Sequence, residues 1–204
     1  MEKIILIDAG HGGLYEGRYM TNGKQATFNQ TTIYEGVLNR AVAHLLNYEL
    51  SIRNIKSQVM NTSEIDINLS GRCFMINEKV NASPNKKFFL LSIHHNASPN
   101  QSAEGFECFT SKGETQSDIF ANYLMKLFIT KHPKRKARIN TIEDPSKDSD
   151  FYILKNTICP AVLTEFAFMT NKKEFDYMTV YNGIQDEVNL LVEWIRFHVV
   201  KLEQ

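Results

Sequence analysis

The segment IILIDAGHGG, residues 4–13, decides how this chain folds. Ile4, Ile5, Leu6 and Ile7 form a continuous apolar, mostly β-branched run, so residues 3–8 read as a strand buried on both faces. Beyond Asp8 the run gives way to His11, set among Gly10, Gly12 and Gly13. Glycines there let the backbone turn without Cβ clashes. A histidine placed just past a strand end reads as a ligand if the rest of the chain supplies partners.

Strand and helix patterns alternate from there to the end. Over residues 34–52, Tyr34, Val37, Leu38, Ala41, Val42, Leu45 and Leu46 recur with the spacing of one helix face. Residues 55–60 read as a strand, and 69–80 as a helix with Asn68 or Ser70 near its cap. Residues 88–93 are a second continuous apolar run and a central strand. A short strand at 105–110, a helix at 115–131 and a buried strand at 161–166 follow. Val188, Leu191, Val192, Ile195, Val199 and Leu202 stripe a closing helix. Residues 9–32 lack periodicity and read as a long loop, functional or disordered. Residues 132–150 read as a polar loop around one short strand. With no repeat or linker composition, residues 1–204 are expected to form one α/β domain. Its sheet is mixed and mostly parallel, with helices on both faces.

Composition bounds the function. The chain has 204 residues, 43% hydrophobic and 23% charged, which suits one soluble domain. Lys and Arg total 23, as do Asp and Glu, and this balance argues against a nucleic-acid binder. No apolar stretch reaches the roughly 20 residues that span a bilayer. The apolar run in MEKIILID falls short of the about 7–15 residues of a signal peptide core, so the expected setting is the cytoplasm. Cys73, Cys108 and Cys159 are scattered without a CxxC, which fits reduced thiols. The basic run KHPKRKAR, residues 131–138, reads as a solvated loop whose charge the nearby IEDPSKDSD offsets. Phe88, Phe89 and Trp194 read as core, and His44, His132 and His198 as ordinary surface or helix residues.

In open α/β sheets, active groups gather beyond the carboxyl ends of the strands. His11, His94 and Glu165 each end a predicted strand, and Glu35 falls in the first turn of the first helix, at the edge of its apolar stripe. Asn39, one turn further on, is within reach to orient Glu35. Two imidazoles and a carboxylate suit zinc, with a fourth position open to water. Glu165, a carboxylate outside that set, is then the candidate proton shuttle.

These residues sit in motifs that resemble the zinc-dependent N-acetylmuramoyl-L-alanine amidases. The pieces are DAGHGG (8–13), YEGVLNRAV (34–42), INLSGRCFMIN (67–77), LLSIHHNA (90–97), GFECF (105–109) and PAVLTEFAFMTN (160–171). They are collinear and span nearly the whole chain. The resemblance implies one Zn²⁺ per chain on His11, Glu35 and His94, with Glu165 as the catalytic glutamate. It implies hydrolysis of the amide joining N-acetylmuramic acid to the L-alanine of the peptidoglycan stem peptide. Asp8 is then a candidate to hydrogen-bond a ligand histidine, and Asn96 to support the site or touch substrate. Arg72 and Asp66 match the family as architectural residues.

The chain departs from the family in three places. Ala9 stands where proline is common, and the segment between His11 and Glu35 is longer than usual, with GRYMTNGKQATF expected to cover the site or read the stem peptide. His95 replaces a small residue; the S-I-H spacing selects His94 as the ligand, and strand alternation points His95 to the other face. A catalytic domain without an export signal or wall-binding repeat resembles a phage or prophage endolysin, acting as a monomer on the wall after release. No nucleic-acid or membrane-inserted role is expected. Two alternatives stay open: a zinc peptidase or deacylase acting on another amide, and a non-catalytic wall-binding module, which would not require an intact Glu165.

Overall fold

The opening apolar run forms strand β1 (Glu2–Ala9), which lies inside the sheet rather than at its edge. A computed structural model describes residues 1–180 and 182–200. Two short hairpins follow, β2 (Leu14–Tyr15) with β3 (Arg18–Tyr19) and β4 (Gln25–Phe28) with β5 (Thr31–Tyr34). Helix α1 (Glu35–Ser51), β6 (Ser57–Val59), α2 (Leu69–Asn81), β7 (Lys86–Asn96) and β8 (Glu107–Ser111) come next. The chain continues through α3 (Gln116–Lys131), β9 (Lys147–Ser149), α4 (Tyr152–Asn156) and β10 (Ala161–Phe168). Helices α5 (Lys172–Thr179) and α6 (Gly183–Trp194) lead into a π-helical turn over Ile195–Val199.

The main sheet has six strands in the order β6-β1-β7-β10-β8-β9. Every neighbouring pair is parallel except β10 with β8. This is the expected mixed, mostly parallel sheet. Register places Ile7 beside Leu91 and His94 beside Glu165, so the carboxyl ends of β1, β7 and β10 lie together.

Alternation along the strands divides the core in two. Ile5, Ile7, Phe89, Leu91, Ile93 and Val162 pack against α1, α3 and α6, in the larger cluster. Leu6, Phe88, Leu90, Ala161 and Leu163 meet α2 and α4, in the smaller. Trp194 is fully buried in the larger cluster and its indole N–H donates to Phe120 O (2.8 Å). All three cysteines are free and buried, and burial pushes the Cys159 thiol up to about 12, which leaves it inert. Among the described residues no helix is long and apolar enough to cross a membrane.

Several expectations change. The stretch read as a long loop is largely the two hairpins, whose alternation is too short to register as a pattern. Helices α4 and α5, short and without a long apolar stripe, are absent from the sequence reading. The basic run is not simply solvated. Arg135 lies over the rings of Phe166 (4.4 Å) and Tyr177 (4.5 Å) and pairs with Glu174 (3.2 Å), while Arg138 pairs with Glu107 (3.1 Å). Its charge is therefore offset partly by distant carboxylates rather than by the adjacent acidic segment. His198 stacks on Tyr123, with ring centroids 4.5 Å apart. Leu202 of the predicted stripe lies outside the described residues.

Candidate active site

Helix α1 carries the buried carboxylate of the site, and its start is held from outside. Tyr34 at the N-cap makes no side-chain capping bond, a contact commonly worth about 1 kcal/mol. The hairpin segment supplies it instead. Glu35 N–H donates to Lys24 O (2.9 Å), and Gly36 N–H donates to the Tyr19 hydroxyl (3.0 Å). Gly36 has no side chain because Gly12 O occupies the place a Cβ would take. Residues 14–34 thus position Glu35.

Three donors converge there. His11 Nε2 lies 3.2 Å from Glu35 Oε1, and His94 Nδ1 lies 2.9 Å from the same oxygen. One ligand atom from each of the three residues falls within 4.8 Å of the others. Burial alone would raise Glu35, but hydrogen bonds from His11 and His94 overcome it and hold the carboxyl well below the usual range. Burial opposes charge on His94, and the Glu35 bond outweighs it to raise this imidazole. Two imidazole nitrogens and an ionised oxygen, convergent and free of thiolate, match the donor preference of a catalytic zinc site. The residues present fit that ion.

Glu165 stands on the neighbouring strand, in register with His94. Its Oε2 is buried without a hydrogen-bond partner, and burial lifts the carboxyl to about 8. A cleft of about 630 Å³ opens beside His11 and His94, between Asn68–Ser70 at the start of α2 and Tyr152 of α4.

The turn after β1 owes its shape to strain and clamping. His11 itself takes a left-handed backbone, φ 65°, which costs a β-carbon residue about 1–2 kcal/mol. Two buried guanidinium groups hold it: Arg40 Nη1 and Arg72 Nη2 each donate to His11 O at 2.8 Å. Arg72 also donates to Ala9 O (2.7 Å), Ile67 O (2.7 Å), Asp8 (3.1 Å) and Asp66 (3.1 Å). The neighbouring glycines do not themselves take positive φ; they clear space. A Cβ on Gly10 would overlap the His94 ring, and one on Gly12 would press on Met20 and Asp66.

Other candidates take different partners from those expected. Asp8 accepts from Arg72 and from Ser92 Oγ (2.8 Å) rather than from a ligand histidine, because Arg72 lies between it and the turn. Asn39 turns from Glu35 towards the sheet, where Nδ2 donates to Gly10 O (3.0 Å) and Oδ1 meets His95 Nδ1 (2.7 Å). Asn96 Nδ2 donates to Glu107 Oε2 (2.7 Å), beside Glu165 rather than at the donor cluster. His95 lies on the α1 and α6 side of the sheet, away from the cleft. Arg40 and Tyr19 were not singled out from the sequence. The pairing of Gly36 with Arg40 at i and i+4 was the available signal, since both face the glycine-rich turn. Tyr19 carried no signal.

Comparison with known proteins identifies the family and the fold. The endolysin of Bacillus phage SPP1 is 28% identical over 175 residues, covering 85% of this chain and 58% of the phage protein. N-acetylmuramoyl-L-alanine amidase LytC of Bacillus subtilis (strain 168) is 27% identical over 174 residues, 84% of this chain and 30% of LytC. This chain therefore spans little more than half of one relative and under a third of the other. The crystal structure of an N-acetylmuramoyl-L-alanine amidase from Clostridium difficile 630 shares the fold, with a TM-score of 0.78, 24% identity and 98% of each chain covered. The profile described as N-acetylmuramoyl-L-alanine amidase matches residues 5–193, the span that holds all three donors and Glu165, and the chain belongs to that family.

Proposed function

We propose that this protein is a zinc-dependent hydrolase that cleaves the amide between N-acetylmuramic acid and L-alanine in bacterial peptidoglycan. The observation that carries the proposal is the pairing of a convergent His11, Glu35 and His94 donor set with a buried, unpartnered Glu165 oxygen on the adjoining strand. Zinc on those donors supplies a Lewis acid for the scissile carbonyl and acidifies water at the site. Glu165 Oε2 takes the proton of the attacking water and passes it to the departing nitrogen. Burial makes the Glu165 carboxylate a stronger base than an exposed one, which suits a group that accepts a proton and then returns it. The cleft between α2 and α4 is where the stem peptide and muramic acid would lie, with Leu69 and Tyr152 as its exposed apolar walls.

Residues 1–204 are read as one catalytic unit working as a monomer. Likeness to a phage endolysin supports a lytic role, with the protein made in the cytoplasm and reaching the wall on release.

Digestion of purified peptidoglycan, followed by mass spectrometry of the soluble products, tests the proposal. Stem peptides with free L-alanine amino ends are expected. They should disappear on chelation and return on adding Zn²⁺. Cleavage within the stem peptide would move the chain to the peptidase reading, and bound but intact wall to the binding-module reading.

A further inference from the structure

We infer that His95 and Glu187 are positioning residues for the metal donors, acting through Asn39 from the opposite face of the sheet. The inference rests on the metal reading of His11, Glu35 and His94. It starts from two ionisable side chains that the proposed chemistry leaves unused in the core. His95 and Glu187 are each 1% exposed, and His95 Nε2 lies 3.1 Å from Glu187 Oε2. Charge this deeply buried is costly without a partner, and a wholly apolar contact between β7 and α6 would avoid the cost.

What the pair supports lies across the sheet. Asn39 Nδ2 donates to Gly10 O at 3.0 Å, so its Oδ1 is the acceptor that faces His95 Nδ1 at 2.7 Å, and that ring nitrogen carries the hydrogen. Nε2 is thereby left to Glu187. Gly10 N–H donates in turn to Ile93 O at 3.0 Å. Both polar groups of Gly10 are fixed, and the His94 ring occupies the space where its Cβ would stand. Glu187, His95, Asn39 and Gly10 thus form a continuous buried chain. It ends under one donor, His94, and one residue before another, His11.

The chain is built from side chains that can adopt few alternatives. His95 is held at Nδ1 by Asn39 and faces Glu187 at ion-pair distance from Nε2, and Asn39 is locked at both ends of its amide. A donor set is only as well placed as the groups that hold it, and loss of such support typically weakens metal binding. Sequence supplies a signal in retrospect. Glu187 falls within an otherwise apolar stripe of α6, flanked by the buried Val188, Leu190 and Leu191.

The test is Zn²⁺ affinity of the full chain, by competition with a chromophoric chelator, together with the visible spectrum of the Co²⁺ form. The double variant His95→Ala/Glu187→Ala removes both members and leaves no lone buried charge. It is expected to fold, to bind Zn²⁺ about 10–100-fold more weakly and to show an altered Co²⁺ spectrum. Leu191→Ala, one turn along α6, should lower the melting temperature while leaving both readouts unchanged. A merely structural role for the pair predicts the reverse: lower stability with parental affinity and spectrum, and that result overturns the inference. If the double variant does not fold, Asn39→Ala cuts the chain at Gly10 and carries the same expectations. A parent protein that binds no Zn²⁺ would overturn the metal reading itself, and this inference with it.

Discussion

On the side of the sheet covered by α1, α3 and α6, strand β7 presents Phe89, Leu91 and Ile93, and from Phe89 onward only His95 breaks the apolar sequence. On the side covered by α2 and α4 it presents Phe88 and Leu90, then Ser92, His94 and Asn96. One backbone serves two purposes. The first face is closed by long helices and buries aromatic residues against one another, such as Phe89 with Phe120 and Trp194 at 5.2 and 5.5 Å. The second is covered only in part, and the uncovered carboxyl end is where the donors and the cleft lie. The difference separates stability from chemistry by the parity of residues along a strand.

Three substitutions break or sharpen that contrast, in order of expected effect. Glu165→Gln, on the cleft face, should lower kcat by about 10²–10⁴-fold, the usual worth of a general acid–base group. Its melting temperature should not fall, because Glu165 Oε2 satisfies no hydrogen bond in the fold. A melting temperature that fell with activity would make Glu165 a structural residue. Phe89→Ala, on the opposite face, should cost about 3–5 kcal/mol in urea unfolding. That is a large share of the about 5–15 kcal/mol that holds a domain together. Its kcat, measured well below the melting temperature, should match the parent. A lowered kcat would show that the faces are coupled through more than the His95 chain. Asn68→Ala removes the cap of α2, where Asn68 Oδ1 accepts from Gly71 N–H at 2.8 Å. It should cost about 1 kcal/mol, seen by scanning calorimetry as a fall of about 2–4 °C.

Much of this was legible beforehand, for identifiable reasons. Ile4–Ile7 and Phe88–Ile93 are too uniformly apolar to be anything but interior strands, and such strands in parallel array bring their ends to one edge. His11 stands just past the end of β1, His94 and Glu165 stand two and three residues before the ends of β7 and β10, and the helical spacing from Tyr34 to Leu46 sets Glu35 at the start of a helix. The hairpins between residues 14 and 34 were not legible. Their strands are two to four residues long, below the length at which alternation can be told from chance. Their contact with Glu35 runs through backbone groups and one tyrosine hydroxyl. The partners of Asp8 and Asn39 were misjudged for a related reason. Spacing tells which residues share a helix face, whereas a hydrogen bond depends on which distant group arrives within about 3 Å.

The sequence by itself determined the layered α/β architecture, the order of its main elements and the four residues on which the proposed chemistry rests. Each of those follows from local periodicity or from position at a strand end, which a linear pattern records. Tertiary structure alone decided that two arginines clamp a left-handed His11, that a hairpin caps the helix of Glu35, and that a buried histidine and glutamate reach the donors from behind the sheet. Those contacts join residues 17 to 92 positions apart in the chain, and only the packing of helices on the sheet brings them within bonding distance.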